Sequence, residues 1–325
     1  DDSDWSSDVC SSDLGVVDLR PERDVARDPL REIRIGRMRT LERLGLAEPA
    51  GPARWVLAAD AEQRLRALGE RGDIIKRLHK SLAKDGASRA PSSWALEGEG
   101  HGGPVIGRLI ARGLDDELRG TAFAVVDGID GRVHHLKLPD IDTAGDGPIG
   151  GIVELRRFED ARGRPRIALA VRSDLDLQHQ VNASGATWLD RQSIAREPVA
   201  MSDGGFGAEV RDALRQRAEH LVREGLAEQQ GGRVVFRRNL IDTLRRREVD
   251  AVADRLAKET GQPFKPAGNG EYVAGTYRQR MTLASGRFAM IDDGLGFQLV
   301  PWSPSLENQL GKRSEERRVG KECRS

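Results

Sequence analysis

The chain has 325 residues, 38% of them hydrophobic, 32% charged and 4% aromatic, a polar globular composition with room for two or three domains. Lys+Arg and Asp+Glu both number 52, so net charge neither demands nor excludes a polyanionic partner. No apolar run approaches the roughly 18–20 residues of a membrane span, and no basic-then-apolar leader opens the chain; the expectation is a cytoplasmic protein with no membrane partner.

The first fourteen residues contain DWSSDVCSSDL, with no apolar period and no turn logic. From Asp28 to Leu44, DPLREIRIGRMRTLERL predicts a helix with Leu30, Ile33, Met38, Leu41 and Leu44 on one stripe, flanked by arginines. Gly45 caps it, GLAEPAGPARWVL reads as a turn and short strand, and a second helix starts near Asp60. Gly69 and Gly72 are expected to interrupt that helix before DIIKRLHKSLAKDG resumes it. Helix, tight two-strand wing and helix outline a winged-helix-like domain over 15–95.

Between 103 and 175, five strand-like runs separated by Asp/Gly-rich turns predict a small five-stranded β-barrel of the OB or SH3-like kind. TWLDRQ at Thr187–Gln192 follows, with Trp188 as a core anchor and Asp190 beside Arg191 as a local ion pair. AREPVAMSDGGFG from Ala195 reads as a linker. VRDALRQRAEHLVRE then repeats the opening pattern: GLAEQQG at Gly225–Gly231 echoes GLAEPAG at Gly45–Gly51, and a helix with Leu240, Leu244 and Val249 follows. This makes 185–262 a helical, second winged-helix-like unit. The alternating run around the DGLG turn makes 268–312 a C-terminal β unit. The fold class expected is therefore α+β and multidomain.

The constellations that carry chemistry are sparse. His134 and His135 are neighbours on a strand and face opposite sides, and no His-x-His or His-x3-His pair occurs. There is no G-x-S-x-G, GDG at Gly145–Gly147 has no following helix, Ser285–Arg287 reads as a plain turn, and Asp292 and Asp293 read as solvated loop residues. No catalytic residue, metal ligand or cofactor is assigned. Arginines are more telling: Arg34, Arg37 and Arg39 flank the first helix and Arg54 lies on its wing. Arg233, Arg237 and Arg238 lie on the second wing, before Arg245, Arg246 and Arg247. In winged helices such positions meet phosphates, which makes Arg34, Arg37, Arg39, Arg54, Arg233, Arg237 and Arg238 the expected DNA-binding residues. The competing reading is a solvated face neutralised by Glu32, Glu42, Glu224 and Glu248.

GERGDIIKRLHK, VIGRLIARGLDDELRGTAFAVVDGIDGRVHH, GATWLDRQ and EYVAGTYRQRMTLASGRFAMIDDGLGFQLVPWSPSLE together resemble the C-terminal region of bacterial conjugative relaxases of the T-DNA border endonuclease type, over about Gly15 to Gly311. The resemblance implies a plasmid mobilisation context. The parent's nicking tyrosine and histidine cluster have no counterpart here, since Tyr272 and Tyr277 lie in the C-terminal β unit. It implies an accessory region that binds DNA at the origin of transfer. The alternative is a scaffold docking the relaxase to relaxosome, coupling or type IV secretion proteins. An independent enzyme using Tyr272 or Tyr277 as nucleophile is a third reading.

The two ends fall outside that resemblance. Read back through codons, DWSSDVCSSDL matches one common sequencing-adapter oligonucleotide, and RSEERRVGKEC (Arg313–Cys323) the opposite one. Residues 1–14 and 313–325 are therefore expected to be translated adapter and disordered, which removes Cys10 and Cys323 from any redox or metal argument. The remainder, 15–312, carries 47 bases and 44 acids and is mildly basic.

Overall fold

The computed structural model describes residues 15–21, 30–86, 89–96, 104–268, 273–307 and 313–314. The chain divides into two units, 1–79 and 80–325, with the division inside a helix. The first unit contains β1 (Val16–Asp18), α1 (Arg31–Arg43), β2 (Ala47–Gly51), β3 (Arg54–Leu57) and most of α2 (Ala61–Asp85). Its three strands run in the order β1-β3-β2, all antiparallel. The buried face of α1 keeps only part of the expected stripe: Met38 and Leu41 pack with Ile35, Ala47 and Trp55, whereas Ile33 is 67% exposed and Leu30 and Leu44 are exposed as well. The stretch holds two overlapping apolar spacings, and the one meeting the hairpin is buried. Gly69 and Gly72 do not interrupt α2, which runs unbroken for 25 residues. Each glycine costs only about 1 kcal/mol in a helix of good formers.

The second unit is built on a six-stranded sheet. Its strands are β4 (Trp94–Ala95), β5 (Val105–Asp116), β6 (Thr121–Gly128), β7 (Val133–Leu138), β8 (Ile152–Glu159) and β9 (Pro165–Ser173), in the order β4-β7-β6-β5-β8-β9. The five predicted strands are all present, but the expected barrel is not. The sheet is open, with β4 and β9 as separate edges, and no sheet closes or curls. A small barrel closes so that its strands fill one common interior. Here neighbouring residues serve two different cores instead. Val105, Leu109, Val126, Leu136 and Val153 form one apolar cluster, joined by Ala144 from the 139–151 loop. Ile106 and Ile152 belong to a second cluster, with Trp188, Leu189, Phe206 and Val210. Each face is covered by other chain segments, so burial does not require the sheet to meet itself.

The covering helices are α3 (Leu177–Asn182), α4 (Trp188–Ser193) and α5 (Gly205–Arg223). Thr187 starts α4 with a capping box shared with Asp190. The segment expected to be a linker ends inside α5, where Phe206 is fully buried. After α5 come β10 (Ala227–Gln230), β11 (Arg233–Phe236) and α6 (Leu240–Thr260). The last sheet contains β12 (Gly275–Leu283), β13 (Gly286–Asp292), β14 (Phe297–Pro301) and β15 (Arg313–Ser314), in the order β14-β13-β12-β15, with α7 (Pro304–Glu307) after β14. Phe288 and Met290 pack with Leu256 of α6, while Ala289 and Ile291 join Tyr277 and Leu306. Residues 313–314, expected to be adapter, pair with Gly275 and Thr276 of β12; residues 1–14 and 315–325 lie outside the described residues. Among the described residues no helix is long and apolar enough to cross a membrane.

Candidate nucleic-acid interface

The two GLAE segments fold alike. Leu44 and Glu224 end α1 and α5 in right-handed helical conformation, and Gly45 and Gly225 follow at φ 67° each. Gly45 N–H donates to Glu42 O and Leu46 N–H to Leu41 O, both at 2.9 Å. Gly225 N–H donates to Val222 O at 3.0 Å and Leu226 N–H to Leu221 O at 2.8 Å. This is the paired closure of a glycine-terminated helix, and the left-handed residue is why glycine stands at both places. Leu46 and Leu226 are buried, and each accepts the returning chain at 3.0 Å, from Ala58 and Arg237 respectively. Ala47 pairs with Leu57, and Ala227 with Phe236. Arg54 and Arg233 therefore hold the same place, the first residue of the returning strand.

Their surroundings differ. Arg54 lies against β1, its Nε 3.4 Å from Asp18 Oδ2, close enough for an ion pair but outside hydrogen-bond geometry. Asp18 also accepts from Arg20, whose guanidinium lowers its pKa to about 2. Arg233 is exposed, with no carboxylate within ion-pair reach among the described residues. On α1, Arg34 is half-buried, whereas Arg37 and Arg39 are exposed and outside any ion pair among the described residues. Two residues of helix turn a side chain by about 200°, so Arg37 and Arg39 leave α1 in nearly opposite directions. The first hairpin and helix thus do not gather their four arginines on one face.

The second hairpin carries more arginines outside ion pairs. Arg237 and Arg238, between β11 and α6, are exposed, as are Arg223 at the end of α5 and Arg246 and Arg247 in the first turns of α6. None of these, nor Arg233, lies within 4.0 Å of a carboxylate among the described residues. Elsewhere arginines are mostly paired: Arg211 with Asp203, Arg215 with Asp212, Arg166 with Asp160. The segment 223–247 is therefore a local excess of solvated guanidinium groups, suited to a phosphate backbone by charge and by bidentate donor geometry. Arg223, Arg246 and Arg247 extend the sequence-expected set. Spacing hides them: Glu219 stands four residues before Arg223, Asp242 and Asp250 four residues either side of Arg246, and Asp250 three after Arg247, yet none of these acids closes an ion pair among the described residues. Arg245 is different, its guanidinium stacked 5.3 Å from the Phe288 ring centre.

A family model described as "protein of unknown function (DUF3363)" matches residues 34–164 and 154–318. The chain belongs to that family. No curated protein and no solved structure matches it. Both hairpins of this DUF3363 chain lie inside the matched spans, the first in 34–164 and the second in 154–318.

Other charge clusters of the DUF3363 chain are internal. Asp190 does not pair with Arg191. It holds Arg217 through Oδ1–Nε at 2.8 Å and Oδ2–Nη2 at 2.9 Å, both side chains being fully buried. Arg191 instead donates to Ser285 O at 3.3 Å. Asp127, also fully buried, accepts from Arg89 at 2.8 Å and Arg108 at 3.1 Å. The Ser285–Arg287 turn is not plain: Arg287 binds Asp174 and Asp146, and the guanidinium groups of Arg280 and Arg287 lie 5.0 and 5.6 Å from the Trp302 ring. These line a cleft of about 750 Å³ whose charges largely neutralise one another. Asp292 is buried and accepts from Arg278 and Gly294 N–H rather than being solvated. Tyr277 is fully buried in the C-terminal core, and Tyr272 lies outside the described residues. His134 binds Asp130 at 2.9 Å and His135 stacks on Phe123, so the adjacent histidines part.

Proposed function

We propose that this chain is a non-catalytic accessory region of a cytoplasmic plasmid-mobilisation relaxase, and that it binds DNA beside the origin of transfer. The observation that carries the reading is the set of arginines outside ion pairs around the second hairpin: Arg223, Arg233, Arg237, Arg238, Arg246 and Arg247. The relaxase context rests on the sequence resemblance. Solvated guanidinium groups meet phosphates without base specificity, so the interface positions the chain on DNA rather than reading a sequence. The first hairpin contributes less, because Arg54 is held by Asp18.

A salt series of gel shifts on the full chain, with origin and generic duplexes, tests the reading. The expected result is retardation at about 50 mM salt that weakens steeply towards 200 mM, as counterion release requires. No retardation of either duplex at the lower salt overturns it.

A further inference from the structure

The two hairpin units differ in one respect that charge does not explain. In the first, the outer edge of β3 is covered by β1, antiparallel, with Val16 opposite Val56, Val17 opposite Trp55 and Asp18 opposite Arg54. Leu57 N–H donates to Gly15 O at 2.9 Å and Leu19 N–H to Ala53 O at 2.8 Å, so the added strand satisfies that edge. Val17 and Leu19 pack on the core beneath, and Asp18 supplies the carboxylate for Arg54. In the second unit the same edge, on β11, has no third strand among the described residues; the sheet has two strands. Val235, in the place of Val56, is 47% exposed. Val234, in the place of Trp55, packs on the core of the second unit and directs its backbone N–H and C=O to the open edge, by the equivalence of register.

We infer that the outer edge of β11 is a docking site for an extended segment of a partner protein, which adds as an antiparallel third strand in the manner of β1. The first unit dictates the chemistry of the occupant. An apolar residue stands opposite Val234 over the core, and the next residue, an acid, stands opposite Arg233. Main-chain hydrogen bonds hold such a strand, and side-chain pockets choose it. A row of unpaired backbone groups left open on a sheet is a template for that pairing. The inference does not rest on DNA binding, because it uses the edge and Arg233 and makes no use of Arg237, Arg238, Arg246 or Arg247.

The test uses the full chain and a blocked peptide of the sequence GVVDLR, copied from Gly15–Arg20, followed by amide hydrogen exchange. The expected result is slowed exchange at Val234 and Phe236 on adding the peptide. Arg233→Glu weakens binding by roughly fivefold, the scale of a part-exposed ion pair. A peptide carrying lysine for the aspartate fails on the unaltered chain and recovers on Arg233→Glu. Arg237→Gln with Arg238→Gln leaves protection unchanged while weakening DNA retardation. Protection that maps away from β11, or binding indifferent to the charge exchange, overturns the inference. So does protection of the edge by duplex DNA and not by peptide.

Discussion

Glu248 of α6 accepts the backbone N–H of Ser285 at 2.9 Å and that of Ala284 at 2.8 Å, so one carboxylate holds the turn between β12 and β13. Ser285 Oγ in turn accepts Ala186 N–H at 2.9 Å. The helix, the turn and the segment before α4 are thereby tied at one point. A Cβ on Gly185 would lie 2.0 Å from Glu248 Oε2, which makes the glycine a requirement of space. Glu248→Ala is expected to destabilise the chain by about 1–3 kcal/mol, the cost of leaving buried donors unpaired. Gly185→Ala should act by displacing the same carboxylate. Urea denaturation of both single variants and the double checks this, the double being less destabilised than the sum.

Asp190 and Arg217 make the second prediction. Arg217 also donates to the carbonyls of Val181, Ala183 and Gly185, so the pair is satisfied on every side. Arg217→Met leaves Asp190 buried and charged and is expected to cost about 3–5 kcal/mol. Adding Asp190→Asn should recover part of that loss, because the residual charge goes while the acceptor for Thr187 stays. Thermal unfolding of the two variants reads the difference; no recovery in the double variant would refute the account.

Acid sensitivity follows from two carboxylates, exposed Asp18 and half-buried Asp160. Backbone hydrogen bonds from Arg164, followed by its side chain, lower the Asp160 pKa to about 2, and the Arg20 side chain lowers that of Asp18 to about 2, from an ordinary 3.8. Folded values below the unfolded one mean that the stabilisation is present above about pH 4 and is lost as pH falls towards 2. Denaturation midpoints at pH 5, 4, 3 and 2 should therefore fall within that window. Asp160→Asn and Asp18→Asn should flatten the fall.

For DNA, Arg237→Gln and Arg238→Gln should each lower the slope of log affinity against log salt by about 1 and weaken all sequences alike. Arg54→Gln should lower the slope by less than either, because Asp18, 3.4 Å from its Nε and shared with Arg20, already offsets part of that charge. A shift of sequence preference rather than of slope would argue for base contacts.

Much of this architecture is legible in the residues, for local reasons. The five central strands announce themselves by alternation and Asp/Gly turns, and GLAE repeats because a glycine-closed helix end needs the same residues twice. What escapes is set by distant coverage. β4 is two residues long and carries no period, and whether a sheet closes depends on what lies over each face. Arg217 looks like a solvated position of an amphipathic helix; only the acid 27 residues earlier makes it core. Arg54 and Arg233 look equivalent until β1 is placed beside one of them. The same nonlocality hides the charge excess at 223–247, which exists only because nearby acids point elsewhere or, like Glu248, are engaged.

The alternation of β5 between two cores sets a limit on how its gene can change. Val105 faces one cluster and Ile106 the other, and β13 divides Phe288 and Met290 from Ala289 and Ile291 in the same way. Loss of a single codon within either strand would exchange the two sets at once, sending every later side chain to the wrong side. An edge strand or a half-exposed sheet can absorb such a slip by presenting its error to water. Over Val105–Ile110 of β5 and Phe288–Asp292 of β13 neither side is open to water, so insertions and deletions there are tolerable only in the turns beyond them.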